Sequence, residues 1–365
     1  MTEPGPSRFV PAFWREFASP ETPHQRKHPL TMSRQALIQN GRGPALLRAL
    51  VYGAVGLAAS AVLVKALSLS AEAKHRPMGK FVAVGGAKIH YIDRGTGQPV
   101  ICLHGNGGTL EDLASSGLID TLAREYRVIA LDRPGFGHSE RPQRTWSPEE
   151  EAKLLKAFMR QLGIERPIIV AHSWGTLVAL SAALEAQEDV SGLVLVCGYY
   201  YPTVRFDVAF QALISSPLVG DVVRHTVWPL IARLAAPAAI RRIFSPQAPS
   251  DAFLKTYPVG LAARPVQLRV LADDTVAMPA AAARLCKRYA ELHLPIDILS
   301  GSDDRMVTTA RHSRRLHEDL TDSYYDEIPG VGHMVHHFHP ALISRRVAHV
   351  LQRAAVVQHA ETGAK

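Results

Sequence analysis

The sequence predicts an α/β fold: a mostly parallel central sheet with helices on both faces, an inserted helical cap and an N-terminal hydrophobic helix. Three observations carry this. Short continuous apolar runs, at 99–103, 128–131, 167–170 and 193–197, alternate with amphipathic helical patterns, as strands buried on both faces require. One of these runs turns abruptly into a helical stretch at Val170-Ala171-His172-Ser173-Trp174-Gly175-Thr176. The alternation then stops between 202 and 290, where the chain is rich in Ala, Leu and Arg and carries Pro217, Pro229, Pro237, Pro246, Pro258, Pro265 and Pro279.

In chain order, residues 1–43 mix Pro, Arg, Ser and Gln without periodicity and are expected to be a disordered leader; Met32 offers an alternative start. Residues 44–70 are expected to form a membrane-anchor helix. Their uncharged run 49–64 lies between Arg48 and Lys65, which can snorkel. A cleaved signal ending near Ala71-Glu72-Ala73 and a soluble helix are the competing readings. Seven Lys/Arg precede the apolar run, which favours a cytoplasmic amino terminus and a catalytic domain on the non-cytoplasmic side. Residues before about Lys80 are expected to be dispensable for chemistry.

Charge supports the division. The net charge is +8, but residues 1–80 hold 11 Lys/Arg against 4 Asp/Glu, leaving 30 against 29 in the remainder. A nearly neutral body argues against a nucleic-acid groove. The three cysteines, Cys102, Cys197 and Cys286, are too few and too scattered for a disulfide framework or a zinc site.

The expected core comprises 80–201 and 291–357, with 202–290 as the cap. Residues 81–84 and 88–92, separated by Gly85-Gly86, read as an antiparallel opening pair. The buried run at 99–103 leads into His104-Gly105-Asn106-Gly107-Gly108, and a helix is expected through Leu110, Leu113, Leu118 and Leu122. The strand at 128–131 ends in a turn, 132–139, with Ser139 as a candidate cap. Ser147 and Glu150 form a capping box ahead of Leu154, Leu155, Phe158 and Met159. The prolines of the insertion predict several short helices, and Phe206, Phe210, Leu213, Trp228 and Phe244 are its candidates for lining an acyl pocket.

Ser173 falls where strand passes to helix, with small residues two before and two after it, Ala171 and Gly175. A strained nucleophile turn needs that spacing, although the usual first residue is glycine. Taken alone, the motif also fits a serine heading a core helix. Two later motifs weigh against that: Gly301-Ser302-Asp303-Asp304-Arg305-Met306-Val307 after one strand, and Pro329-Gly330-Val331-Gly332-His333-Met334 after another. The order is Ser, Asp, His, each at or beyond a strand end.

With these residues in place, the chain resembles the α/β-hydrolase fold superfamily, in its serine-nucleophile, helical-cap branch, over about residues 81–352. The resemblance implies that Ser173 is the nucleophile, Asp304 the orienting acid and His333 the base. It places the oxyanion hole at the backbone N–H groups of Asn106 and Trp174. It favours Asp304 over Asp303 because the family's acid commonly stands three residues after the glycine, here Gly301. Asn106 with Trp174 also resembles haloalkane dehalogenases and epoxide hydrolases, but those carry an aspartate where this chain has Ser173.

No cofactor and no metal are expected. His336, His337 and His339 read as a polar packing cluster behind His333, and His104 as a loop-orienting residue. The expected activity is hydrolysis of a carboxylic ester, or related acyl bond, of a small or medium apolar substrate through an acyl-enzyme. Alternatives are carbon-carbon bond hydrolysis, a cofactor-free oxygenase or haloperoxidase, and a non-catalytic ligand receptor.

Overall fold

The computed structural model describes residues 42–142 and 146–363. The leader expected over 1–43 lies outside this range except for its last two residues, which are already helical. The chain divides into two compact units, Met1–Val55 and Gly56–Lys365. The described part of the first is the beginning of helix α1 (Arg42–Lys74), with Leu46, Leu47, Leu50 and Tyr52 exposed. The helix is longer than the expected 44–70, and Pro44–Lys74 is long and apolar enough to cross a membrane.

In the second unit, α1 buries a stripe of Val64, Ser68 and Ala71 and leaves Leu57, Val62 and Leu63 exposed. Ser60 Oγ donates to the carbonyl of Thr226 at 2.8 Å, and Glu72 pairs with Arg264 at 2.9 Å.

Eight strands follow: β1 (Lys80–Val84), β2 (Ala87–Arg94), β3 (Pro99–Leu103), β4 (Arg127–Leu131), β5 (Ile168–His172), β6 (Gly192–Val196), β7 (Ile296–Gly301) and β8 (Ser323–Ile328). They form one sheet in the order β1-β2-β4-β3-β5-β6-β7-β8. The β1–β2 and β2–β4 pairs are antiparallel and the others parallel. Alternation of side chains across each strand divides the core into two layers. Ile101, Ile129, Ile169, Leu193 and Ile298 face α4 (Pro148–Gln161) and α5 (Gly175–Glu185). Val100, Val128, Ile168, Val194 and Leu299 face α2 (Leu110–Ser115), α3 (Leu118–Leu122) and α14 (Pro340–Gly363).

Three local expectations change. The single helix expected over 110–122 is two, because Gly117 adopts a left-handed φ of 74° and breaks the run. Ser139 caps no helix; its hydroxyl donates to the carbonyl of Asp132 and accepts from the N–H of His90, tying the turn to β2. Ser147 does cap α4, accepting from the N–H of Glu150.

The insertion between β6 and β7 holds α6 (Asp207–Ser215), α7 (Val219–His225), α8 (Trp228–Phe244), α9 (Asp251–Thr256), α10 (Val259–Ala262) and α11 (Pro265–Leu285). Its two longest helices, α8 and α11, were expected to be broken by their prolines. Pro229 and Pro265 instead sit in the first turn, where no N–H partner is lost, while Pro237 and Pro279 are carried inside. The remaining helices are α12 (Ser313–Asp319) and α13 (Val335–Phe338).

Candidate active site

Loops leaving the carboxyl ends of β3, β5, β7 and β8 converge beneath the insertion. β5 ends at His172, and Ser173 follows with φ of +52°, a left-handed conformation that costs a residue with a Cβ about 1–2 kcal/mol. The N–H of Ser173 donates to the carbonyl of Val196 at 2.9 Å, which fastens the strained turn to the end of β6. Close packing holds it on the other sides. A Cβ on Gly175 would stand 2.9 Å from the carbonyl oxygens of Leu103 and His104, and one on Gly105 would stand 2.9 Å from the Cβ of Ser173. Only glycine allows the β3 loop to lie this close to the serine.

His333, in the loop after β8, is buried and directs Nδ1 to Asp304 Oδ2 at 2.7 Å. The other Asp304 oxygen accepts from the N–H groups of Met306 and Val307 at 2.8 and 2.9 Å. Asp303, by contrast, is exposed. Ser173 and His333 line the same cavity. The N–H groups of Asn106 and Trp174, the latter just ahead of α5, donate to no other group among the described residues.

Several partners of this constellation have no signature in the sequence. His172 Nε2 lies 3.1 Å from the carbonyl oxygen of His333, binding the serine turn to the histidine loop. Burial, reinforced by His336 and His333, holds the His172 imidazole well below its usual pKa, so it is neutral and donates. Cys197, whose φ of +49° turns the chain as β6 ends, brings its thiol into one cluster with Asp304 and His333. The Asn106 side chain donates to the carbonyl of Leu271 at 3.1 Å and to Thr275 Oγ1 at 3.0 Å, and the Tyr257 hydroxyl donates to the carbonyl of Gly107. Helix α11 and the residue following α9 therefore hold the loop that carries Asn106.

His104 acts on the same loop: its Nε2 accepts from the N–H of Arg133 at 2.8 Å, and burial with the Arg133 charge lowers its pKa to about 4. Behind His333, Asp112 Oδ1 meets His337 Nε2 at 2.8 Å and Oδ2 meets His336 Nε2 at 3.3 Å. Burial opposes the Asp112 charge, but the two imidazoles outweigh it and hold its carboxyl well below the usual range. The Nδ1 atoms of both histidines lack partners among the described residues. A metal on Nε2 would force protons onto those Nδ1 atoms with no acceptor to receive them, so the geometry fits hydrogen-bonded packing better than a metal. His339 takes no part in this cluster.

The cavity measures about 450 Å³, within the range of small-molecule sites. One side is apolar, with Ala232, Ala236, Ile240, Ile243, Phe244 and Leu268; a smaller polar end holds Arg205, Asp207 and Gln211. Of the aromatic and aliphatic residues expected to line it, only Phe244 does. Phe206 and Leu213 are exposed, and Phe210 packs against Trp228 with ring centroids 4.9 Å apart. Composition marked the insertion as apolar but could not say which helix face looks inward.

A family profile for the α/β hydrolase fold matches residues 98–340. Among curated proteins, the chain is 33% identical over 134 residues to haloalkane dehalogenase 2 of Mycobacterium bovis, covering 36% of this chain and 46% of that one. It is 33% identical over 136 residues to 2-hydroxy-6-oxo-6-(2'-aminophenyl)hexa-2,4-dienoic acid hydrolase of Metapseudomonas resinovorans, covering 37% of this chain and 47% of the relative. These matches span about half the length of the curated relatives. Among solved structures, a membrane phospholipase A described as a bacterial virulence factor is similar with a TM-score of 0.55 and 21% identity, covering 87% of this chain and 99% of that one.

Proposed function

The chain belongs to the α/β-hydrolase fold family, and from that premise we propose that it is a serine hydrolase cleaving carboxylic esters of small or medium apolar substrates. The observation that supports this most is the shared cavity: the strained Ser173 and the His333–Asp304 pair open onto one mostly apolar chamber.

In this reading Ser173 Oγ attacks the ester carbonyl while His333 Nε2 takes its proton. Asp304, bonded to Nδ1–H, keeps the proton-accepting nitrogen free and stabilises the imidazolium. The N–H groups of Asn106 and Trp174 receive the oxyanion, each on the order of 3 kcal/mol toward the transition state. The C–O bond breaks, the leaving alkoxide takes the proton from His333, and water activated by His333 hydrolyses the acyl-Ser173 ester. The apolar side of the cavity accommodates the acyl chain.

The likeness to a dehalogenase does not carry that activity over. The turn holds serine in place of aspartate, the Asn106 amide hydrogens are already taken by Leu271 and Thr275, and the Trp174 indole, as distinct from its backbone N–H, is buried away from the cavity. Carbon-carbon hydrolysis of a dienoate, the activity class nearest the second curated relative, meets a similar obstacle. Arg205, which lines the cavity, already gives Nε and Nη2 to Asp207, the latter at 2.6 Å, so its charge is largely spent before a substrate carboxylate arrives.

Helix α1 is read as a retained anchor with the catalytic unit on the non-cytoplasmic side; resistance of the full chain to carbonate extraction tests it. A fluorophosphonate probe tests the chemistry. We expect labelling at Ser173, its loss in Ser173→Ala, and turnover across a panel of p-nitrophenyl esters. A folded protein that neither labels nor turns over any ester would overturn the hydrolase reading in favour of a ligand receptor.

A further inference from the structure

The insertion carries an apolar surface that the proposed chemistry does not use. On α8 and the residue before it, Val227, Ile231 and Leu234 form a stripe at intervals of four and three, and Leu234 is 84% exposed. Leu218, just before α7, and Val219 and Val222 within it are exposed as well. Soluble proteins seldom leave such groupings bare. The opposite face of α8, with Ala232, Ala236 and Ile240, lines the cavity. One helix is therefore the wall between the chamber and this surface.

The neighbouring contact with α1 indicates what covers it. Ser60 Oγ donates to the carbonyl of Thr226, the residue immediately before Val227. Ser60 belongs to the uncharged run 49–64 and precedes Lys65, the first charge after that run, by five residues. At 1.5 Å per residue it lies about 7.5 Å deeper into that run than Lys65. If Lys65 marks the lipid headgroups, Thr226 and the start of the stripe beside it lie at the depth to which interfacial helices sink, roughly 5–10 Å. Leu57 and Leu63, three residues either side of Ser60 on α1, are exposed as well.

We propose that the α7–α8 face of the insertion is seated in the outer part of the lipid bilayer beside α1, so that the cavity receives its acyl substrate from the membrane. This rests on the anchor reading of α1 and the hydrolase reading of the site; the occupant of the face is lipid.

The test uses the full chain in vesicles of phosphatidylcholine and phosphatidylglycerol, with an NBD fluorophore at Leu234→Cys or, as control, at the exposed Glu185→Cys, both in a Cys286→Ser background. Lipids brominated near the headgroup should quench the probe at 234 about twofold or more and leave 185 unaffected. In parallel, a Val227→Asp, Ile231→Asp, Leu234→Asp variant should lose about tenfold or more of its turnover of a long-chain ester presented in vesicles while hydrolysing a soluble butyrate ester normally. Carbonate resistance without quenching at 234 overturns the seating and leaves the anchor standing. A blue-shifted probe that brominated lipid does not quench also overturns it, in favour of a second protein copy. Extraction of the full chain by carbonate overturns the anchor and the seating together, and absence of ester turnover in the otherwise intact protein removes the hydrolase reading alone.

Discussion

Asp304 accepts from His333 and from two backbone N–H groups, so its carboxylate is fixed in position as well as charged. Asp304→Asn keeps the shape but disturbs the imidazole tautomer, and we expect a loss on the order of 10⁴ in kcat, against roughly 10⁶ for Ser173→Ala. Asp303→Asn should stay within a few-fold of the parent; steady-state kinetics on a short ester separate them, and a harsher Asp303 variant would reverse the assignment. Cys197 gives a second expectation. Burial, joined by the Asp304 charge, pushes its thiol pKa well above the usual value, and burial raises Cys102 to about 12. Thiolate is the reactive form, so iodoacetamide at pH 8 should modify Cys286 in the folded protein and spare the other two, as peptide mapping would show. The positions of Ser173, Asp304 and His333 at strand ends were legible because buried strands and small-residue turns leave local patterns. The proximity of Cys197, and of Asp112 to His336 and His337, was not: these pairs are set by tertiary approach of loops far apart in the chain.

The helices of the insertion show where such reading stops. Proline spacing suggested short pieces, yet α8 and α11 run through Pro237 and Pro279 because tertiary packing outweighs one lost hydrogen bond. Alternation along the strands, by contrast, gave most of the sheet, since a run buried on both faces has few other uses. Between α4, α11 and the turn after β4 sits an unanticipated ionic junction. Arg133, buried, meets Glu151 at 2.9 Å and Asp274 at 2.6 Å, and Arg141 also approaches Asp274, at 3.3 Å. Arg133→Met leaves two carboxylates buried without their main partner and should cost roughly 3–5 kcal/mol, measured by urea unfolding. Asp274→Asn keeps Arg133 paired with Glu151 and should cost less; equal losses would show that the junction is not the source of the effect.

Acid should unfold the catalytic unit early. Burial, with the Arg133 charge, lowers His104 to about 4, and burial lowers His312 to about 4 with Arg205 and Arg311 adding to it against Asp304. Both are neutral when folded, whereas in the unfolded chain they protonate below about 6.5. The depressed folded values thus give stability that is complete above about pH 6.5 and declines as pH falls toward 4, by about 3 kcal/mol for each group. Thermal midpoints measured from pH 8 to 4 should fall across that window, and less steeply in His312→Asn.

Removal of residues before Lys80 should leave turnover of a short soluble ester intact, since every group of the site lies beyond it. It also uncovers the surface against which Val64, Ser68 and Ala71 pack, so the midpoint should drop by a few degrees. An unchanged midpoint would mean that the packing contributes nothing.

The tie between the insertion and the Asn106 loop bears on timing. Tyr257, Leu271 and Thr275 hold that loop, so under the proposed mechanism an insertion that lifts as a lid to let product out would also let go of the proposed oxyanion donor. On that mechanism the chamber would behave as an airlock: unreactive when open to its surroundings, and reactive only when shut. Turnover on good substrates should follow the lid, and kcat should fall with added viscogen while single-turnover acylation does not.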